Sequence, residues 1–113
     1  LYELRPDIGA VVHTHPAAAT AFAVCGRKFP ENWLLEVPAL IGKIGIAGFA
    51  PAGSAELVAE VEKVADSDVI FLQNHGVITY CPDIYEAFSR MDAVENTAKT
   101  ILYSQILGDV REF

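Results

Sequence analysis

The sequence predicts an α/β domain in which a sheet is covered by helices. Short runs rich in β-branched residues alternate with segments of helical periodicity, and this alternation is typical of α/β layering. A chain of 113 residues is enough for one domain of this class. The predicted strands are Ile8–His13, Lys43–Ala47, Val69–Gln73 and Gly76–Tyr80. The predicted helices are Ala17–Val24, a helix from the Ser54 cap to about Ala65, and a helix from the Asp83 cap to Leu107.

Prolines bracket the first predicted strand. Leu1–Leu4 is predicted to be the tail of a helix, which ends at Arg5–Asp7 because the residue before a proline avoids the helical region. Ile8–His13 is a short apolar run of the kind found in buried strands. Pro16 then suits the first turn of the Ala17–Val24 helix.

The two later helices carry capping signals. Ser54 is an N-cap residue, and Glu56 places negative charge at the positive end of the helix. Asp83 and Glu86 have the spacing of a capping box, and Gly108 is a natural terminator after Leu107. The apolar stripe of the middle helix comprises Leu57, Val58, Val61 and Val64.

Composition excludes several classes of function. The net charge is −7 without a cluster of Lys or Arg, so the chain lacks the positive surface that nucleic-acid binding requires. No apolar run reaches the ~18–20 residues of a membrane span, and no signal sequence opens the chain. Cys25 and Cys81 lack ligand spacing and are predicted to be free thiols, with a disulfide or a metal role as the alternative. A reducing, cytoplasmic setting fits this pattern.

The three histidines of the chain are the candidate metal ligands. In an extended segment His13 and His15 point to the same face, with their Cα atoms about 6.5 Å apart. His75 follows another predicted strand, so three imidazoles meet if the two strand ends are neighbours. Three protein ligands with an open position are typical of a catalytic zinc site. The alternative is that each histidine is only a polar residue at a strand end.

Several stretches of the sequence resemble the class II aldolase/adducin family, which includes fuculose-phosphate aldolases and ribulose-phosphate 4-epimerases. An H-x-H motif and an H-G motif carry the resemblance. It covers nearly the whole chain, and its segments are Arg5–Asp7, Ala10–Pro16, Phe49–Ser54, Leu72–Val77 and Glu86–Lys99.

The resemblance implies a three-layer α/β/α fold around a mixed, mostly antiparallel sheet. It also implies that His13, His15 and His75 hold zinc or a similar divalent ion such as manganese or cobalt. The implied activity is lyase chemistry, the aldol cleavage of a small ketose phosphate through a metal-stabilised enediolate. Family members are commonly homotetramers, so the expected partners are a sugar-phosphate substrate and further copies of the chain.

Parts of the family pattern have no counterpart in the chain. In the aldolases, the acid/base glutamate and the loops that hold the substrate phosphate lie upstream of the segment that resembles Arg5–Asp7. Residues 1–113 are therefore expected to be the C-terminal portion of a single domain that lacks the N-terminal part, with no catalytic residue of its own. The alternatives are a 4-epimerase, decarboxylase or dehydratase on the same scaffold, or a non-catalytic adducin-like interaction module.

Other polar and aromatic residues have more ordinary interpretations. Glu36 is expected to be a solvated loop residue, and Glu95 to form a pair on a helix surface. Asn74 either orients a metal ligand or serves the turn. Trp33 is a candidate interface residue. The tyrosines expected in the core or at an interface are Tyr80, Tyr85 and Tyr103.

Overall fold

A four-stranded mixed sheet forms the centre of the molecule. The computed structural model describes all 113 residues. The strand order is β1-β4-β3-β2, with β1 and β4 antiparallel, β3 and β4 antiparallel, and β2 and β3 parallel. The strands are β1 (Ala10–Thr14), β2 (Ile44–Ala47), β3 (Val69–Leu72) and β4 (Gly76–Cys81). The α-helices are α1 (Ala17–Val24), α2 (Ala55–Glu62) and α3 (Ile84–Leu107).

Helices cover both faces of the sheet because side chains alternate along each strand. Val69, Phe71 and Val77 point to one face, where they pack against α1 and α3 in the larger core. Ile70 and Tyr80 point to the other face, where Leu57 and Val61 of α2 pack against them. Val58, predicted to belong to the same apolar stripe, is exposed instead. The predicted three-layer α/β/α architecture, with a mixed and mostly antiparallel sheet, is therefore confirmed.

The predicted capping residues begin α2 and α3. The Ser54 hydroxyl accepts a hydrogen bond from the Leu57 N–H at 3.1 Å, and the Asp83 carboxylate accepts one from the Glu86 N–H at 2.9 Å. After α3, Gly108 adopts a positive φ of 82°, which glycine tolerates better than other residues. The predicted helix Ala17–Val24 is confirmed, and so is the predicted helix that begins after the Asp83 cap and ends at Leu107.

The structure differs from the sequence prediction at several boundaries and in one added element, and β2, β3 and β4 each differ from their predicted bounds by one residue. Leu1–Leu4 is not a helix but a turn, closed by one hydrogen bond from the Arg5 N–H to the Leu1 carbonyl. The first strand is Ala10–Thr14 rather than Ile8–His13, because its partner on β4 ends at Cys81. The helix α2 ends at Glu62, three residues before the predicted Ala65. The sequence also did not predict the π-helical turn at Val37–Ile41, which contains Pro38.

Both cysteines are free, as predicted: Cys25 is exposed and Cys81 is buried. No helix in the structure is long and apolar enough to span a membrane.

Candidate metal centre

The antiparallel pairing of β1 with β4 brings the three histidines to one edge of the sheet. His13 lies opposite Ile78, and Thr14 lies opposite Val77. The end of β1 therefore lies beside the start of β4, which His75 immediately precedes. The two strand ends are neighbours, and the condition for the imidazoles to meet is fulfilled.

The three imidazoles form a compact triangle. Their ring centroids are 5.1 Å apart for His13 and His15, 4.9 Å for His13 and His75, and 4.8 Å for His15 and His75. The nitrogen atoms that could bind a metal all lie within 4.8 Å of one another. His13 and His15 are exposed and His75 is partly buried, so the cluster is open to solvent on one side.

A backbone carbonyl orients the His13 ring. Nδ1 of His13 lies 2.9 Å from the carbonyl oxygen of Val77. A carbonyl can only accept, so this contact requires the proton on Nδ1 and leaves the lone pair on Nε2. Metal-binding histidines commonly donate their second ring N–H in this way, which fixes the tautomer and the ring orientation.

Gly76 makes room for the His15 ring. A Cβ atom at this position would lie 2.6 Å from Cδ2 of His15 and 2.6 Å from the Thr14 carbonyl oxygen. Both distances are shorter than any ordinary contact. The glycine of the H-G motif therefore serves close packing against His15, since its own φ is not in the left-handed region.

The tight β3–β4 connection places His75. Only Gln73, Asn74 and His75 separate the two strands, and the His75 N–H donates to the Leu72 carbonyl at 3.0 Å. Asn74 adopts a left-handed φ of 61°, which asparagine tolerates better than most residues. Of the two predicted roles for Asn74, the structure supports the turn.

The environment of His75 favours its neutral form. Its pKa is lowered, first by burial and then by the neighbouring His13 and His15, which would repel a positive imidazolium. A neutral imidazole retains the lone pair that a metal requires.

The acidic residue that sequence reasoning misjudged is Glu95. It was expected to pair with another side chain on the surface of its helix. Instead, its two carboxylate oxygens accept hydrogen bonds from the N–H groups of Ala18 and Ala19, at 3.1 and 2.9 Å. These N–H groups open α1, whose N-cap Pro16 forms no side-chain cap. Pro16 was the signal in the sequence that could have revealed this contact. A proline cannot cap a helix with its side chain, so a buried helix start after it needs an acceptor from elsewhere in the fold.

The residues present fit a divalent metal ion. Zinc binds imidazole nitrogen at ~2.0–2.1 Å, and the candidate nitrogens, within 4.8 Å of one another, are close enough to share one ion. Three imidazoles form a ligand set used by zinc, and the open side of the cluster leaves a coordination position free. The cluster contains no carboxylate.

The remaining candidates lie elsewhere. Glu36 is exposed, as expected for a solvated residue. Trp33 is partly buried, packs against the larger core, and donates from Nε1 to Glu112 at 3.3 Å. Tyr80 is a core residue whose hydroxyl donates to the Ser67 carbonyl, whereas Tyr85 and Tyr103 are exposed.

Comparison with known proteins identifies the family. Residues 1–102 match the family described as Class II Aldolase and Adducin N-terminal domain. The chain belongs to this family, as the H-x-H and H-G motifs predicted.

Curated relatives agree with this assignment, and a solved structure shares the fold. The chain is 35% identical over 99 residues to an L-fuculose phosphate aldolase of Methanococcus vannielii, covering 88% of this chain and 54% of the relative. It is 30% identical over 115 residues to a 3-oxo-tetronate 4-phosphate decarboxylase of Escherichia coli O6:H1, covering 96% and 52%. A solved L-fuculose 1-phosphate aldolase superposes with a TM-score of 0.82 at 22% identity, covering 99% of this chain and 53% of that one, which supports the fold alone. The chain thus spans about half the length of the relatives it matches.

Proposed function

We propose that this chain supplies the metal-binding half of a metal-dependent sugar-phosphate lyase, which performs aldol cleavage of a small ketose phosphate. The observation that carries the proposal is the triangle of His13, His15 and His75, whose candidate ligand atoms lie within 4.8 Å of one another. The aldolase among the relatives supports the reaction class.

The three histidines would hold a divalent ion, with zinc, manganese or cobalt as the candidates. When bound, such an ion supplies Lewis acidity that stabilises negative charge developing on substrate oxygens during carbon–carbon cleavage. The chain's own residues keep the site ready for it. Val77 fixes the His13 tautomer, and Gly76 lets the His15 ring lie against the start of β4.

The proposal assigns no acid/base residue to residues 1–113. The histidine cluster contains no carboxylate, and the chain spans about half of its relatives. We therefore propose the complete reaction for the whole protein and only the metal-binding step for this portion. The expected state is a homo-oligomer, as is common in the family. The expected location is the cytoplasm, and two free thiols agree with such a reducing setting.

A decarboxylase acting on a sugar-acid phosphate is the second candidate. The relative described as a 3-oxo-tetronate 4-phosphate decarboxylase favours it. Decarboxylation and aldol cleavage both leave negative charge beside a carbonyl group, so one metal centre can serve either reaction. Epimerase or dehydratase activity would also require the metal centre to stabilise negative charge beside a carbonyl group. The intact histidine cluster argues against a purely structural, adducin-like module.

Metal content tests the proposal. Plasma mass spectrometry of the purified chain after dialysis against zinc is expected to show close to one ion per chain, and the His13→Ala/His15→Ala double variant is expected to show none. Glu36→Ala is the matched control, because it removes an exposed potential ligand outside the cluster and should retain the metal. An absence of metal in the unmodified chain would contradict the proposal. Assays of the full-length protein with ketose phosphates and 3-oxo acid phosphates would then separate the two reactions.

A further inference from the structure

The start of α1 is held by a side chain from a different helix. Pro16 is the N-cap residue of α1, and it has no hydroxyl or carboxylate to accept a backbone N–H. The Thr20 N–H bonds to the Pro16 carbonyl within the helix, but the N–H groups of Ala17, Ala18 and Ala19 precede the first intrahelical bond. Ala19 is fully buried, so its N–H needs a partner inside the protein.

Glu95 of α3 provides that partner. One carboxylate oxygen accepts from Ala18 and the other from Ala19, at 3.1 and 2.9 Å. Charged acceptors at a helix N-terminus are stronger than neutral ones, since they also meet the positive end of the helix dipole. The contact links residues 76 and 77 positions apart in sequence, so it fixes the start of α1 relative to α3.

The same helix start is covalently tied to the histidine cluster. His15 is followed by Pro16, and α1 begins at Ala17, so two peptide bonds separate His15 from the helix. Proline restricts φ, which makes this connection stiff. A displacement of the helix start would therefore move the backbone at His15.

The helix dipole gives Glu95 a second effect. The N-terminus of α1 carries a partial positive charge, and it follows His15 of the proposed cation site by two residues. The Glu95 carboxylate offsets this positive charge by accepting hydrogen bonds from two of the N–H groups at the helix start.

We infer that Glu95 is a positioning residue for the metal centre: by holding the N-terminus of α1 against α3, it sets the position of the His15 imidazole. This inference rests on the proposed metal-binding function. Glu95 itself belongs to no metal-binding cluster and is not proposed to touch the ion.

Isosteric neutralisation tests the inference. Glu95→Gln keeps the shape of the side chain but removes the charge and one of the two acceptor oxygens. Its Co²⁺ affinity is expected to fall about tenfold, which is the lower end of the effect of losing an outer partner of a metal ligand. The visible absorption of bound Co²⁺ should change as well. Asp92→Asn removes the same charge from an exposed position one turn away on α3 and should leave both properties unchanged.

A second variant separates positioning from mere helix stability. Pro16→Ser supplies a local N-cap, and in the Glu95→Gln background it should restore the lost stability but not the lost affinity. Pro16→Ser alone is the reference for the double variant, because it loses the stiff proline connection but keeps Glu95. If the double variant regains full affinity, Glu95 acts only as a cap and the inference is overturned.

The metal-free chain gives an independent readout. It contains three histidines, so the imidazole signals in a nitrogen-correlated NMR spectrum can be assigned from single variants. Glu95→Gln is expected to shift the His15 signals, whereas Asp92→Asn should not. Normal Co²⁺ binding and unshifted His15 signals in Glu95→Gln would overturn the inference alone. A failure of the unmodified chain to bind Co²⁺ would overturn the proposed function, and the inference with it.

Discussion

Gly76 and His15 are in such close contact that no side chain fits between them. A Cβ atom at Gly76 would lie 2.6 Å from Cδ2 of the His15 ring. The start of β4 therefore serves as the surface against which His15 rests, and His75 enters the cluster from the residue before it. The glycine links the two motifs that define the family resemblance.

We expect Gly76→Ala to damage the metal site more than the fold. The methyl group would displace the His15 ring or the Thr14 carbonyl, and overpacking of this kind costs about 1–3 kcal/mol of stability. Zinc affinity should fall at least about tenfold, because one of three ligands leaves its position. Isothermal titration with Zn²⁺, alongside urea unfolding, would measure both effects.

Gly53→Ala is the control for this prediction. Gly53 has a left-handed φ of 75° with no atom near its Cβ position, so alanine there costs about 1–2 kcal/mol through backbone strain alone. Its zinc affinity should match that of the unmodified chain. Equal zinc affinity in both variants and the unmodified chain would contradict the proposed role of Gly76.

Tyr80 makes the fold sensitive to alkaline pH. Burial raises the pKa of its hydroxyl to about 12, only partly opposed by Arg5, whose guanidinium carbon lies 5.3 Å from the ring centroid. The unfolded value is about 10, so between pH 10 and 12 the folded state holds a proton that the unfolded state has lost. The contribution of Tyr80 to the free energy of unfolding is therefore fully present below pH 10, and it should decrease as the pH rises towards 12.

Urea unfolding between pH 8 and 12 checks this dependence. Tyr80→Phe should be less stable at pH 8, because it leaves the Ser67 carbonyl with one donor fewer, but its stability should fall less steeply above pH 10. Tyr85→Phe, at an exposed position, should retain the slope of the unmodified chain. A Tyr80→Phe slope equal to that of Tyr85→Phe would exclude Tyr80 as the titrating group.

The N-cap of α3 should contribute to stability without affecting the metal centre. Asp83→Ala removes the acceptor of the Glu86 N–H, and losing such a cap costs about 1 kcal/mol. Thermal unfolding should show the loss, while zinc affinity stays unchanged. Asp83→Asn, which can still accept the bond, should be nearly neutral. If Asp83→Ala is as stable as the unmodified chain, the cap does not contribute to stability and the prediction is wrong.

The open edge of β1 should promote self-association. The strand order leaves one side of β1 unpaired, and residues Ala10–Thr14 carry no carboxylate, lysine or arginine to discourage pairing with another strand. Exposed apolar side chains at Ile106 and Leu107 add to this tendency. Sedimentation velocity at increasing concentration is expected to show oligomers. A stable monomer at every concentration would refute the expectation.

Local chemistry made much of the secondary structure predictable. Ser54 and Asp83 accept backbone N–H groups three residues ahead, and this requires nothing from the rest of the fold. Gly108 ends α3 by the same local logic. The beginning of β1 was misplaced because a strand extends only as far as its partner, and that partner lies some seventy residues away.

By itself, the sequence determined the α/β class, the two capped helices and the candidate histidines, because periodicity, caps and the H-x-H spacing act over a few residues. Only the tertiary structure decided that His75 meets His13 and His15, since that depends on β1 pairing with β4. It also decided that Glu95 holds the start of α1. The physical reason is that hydrogen bonds and packing between distant segments depend on chain topology, which no local pattern records.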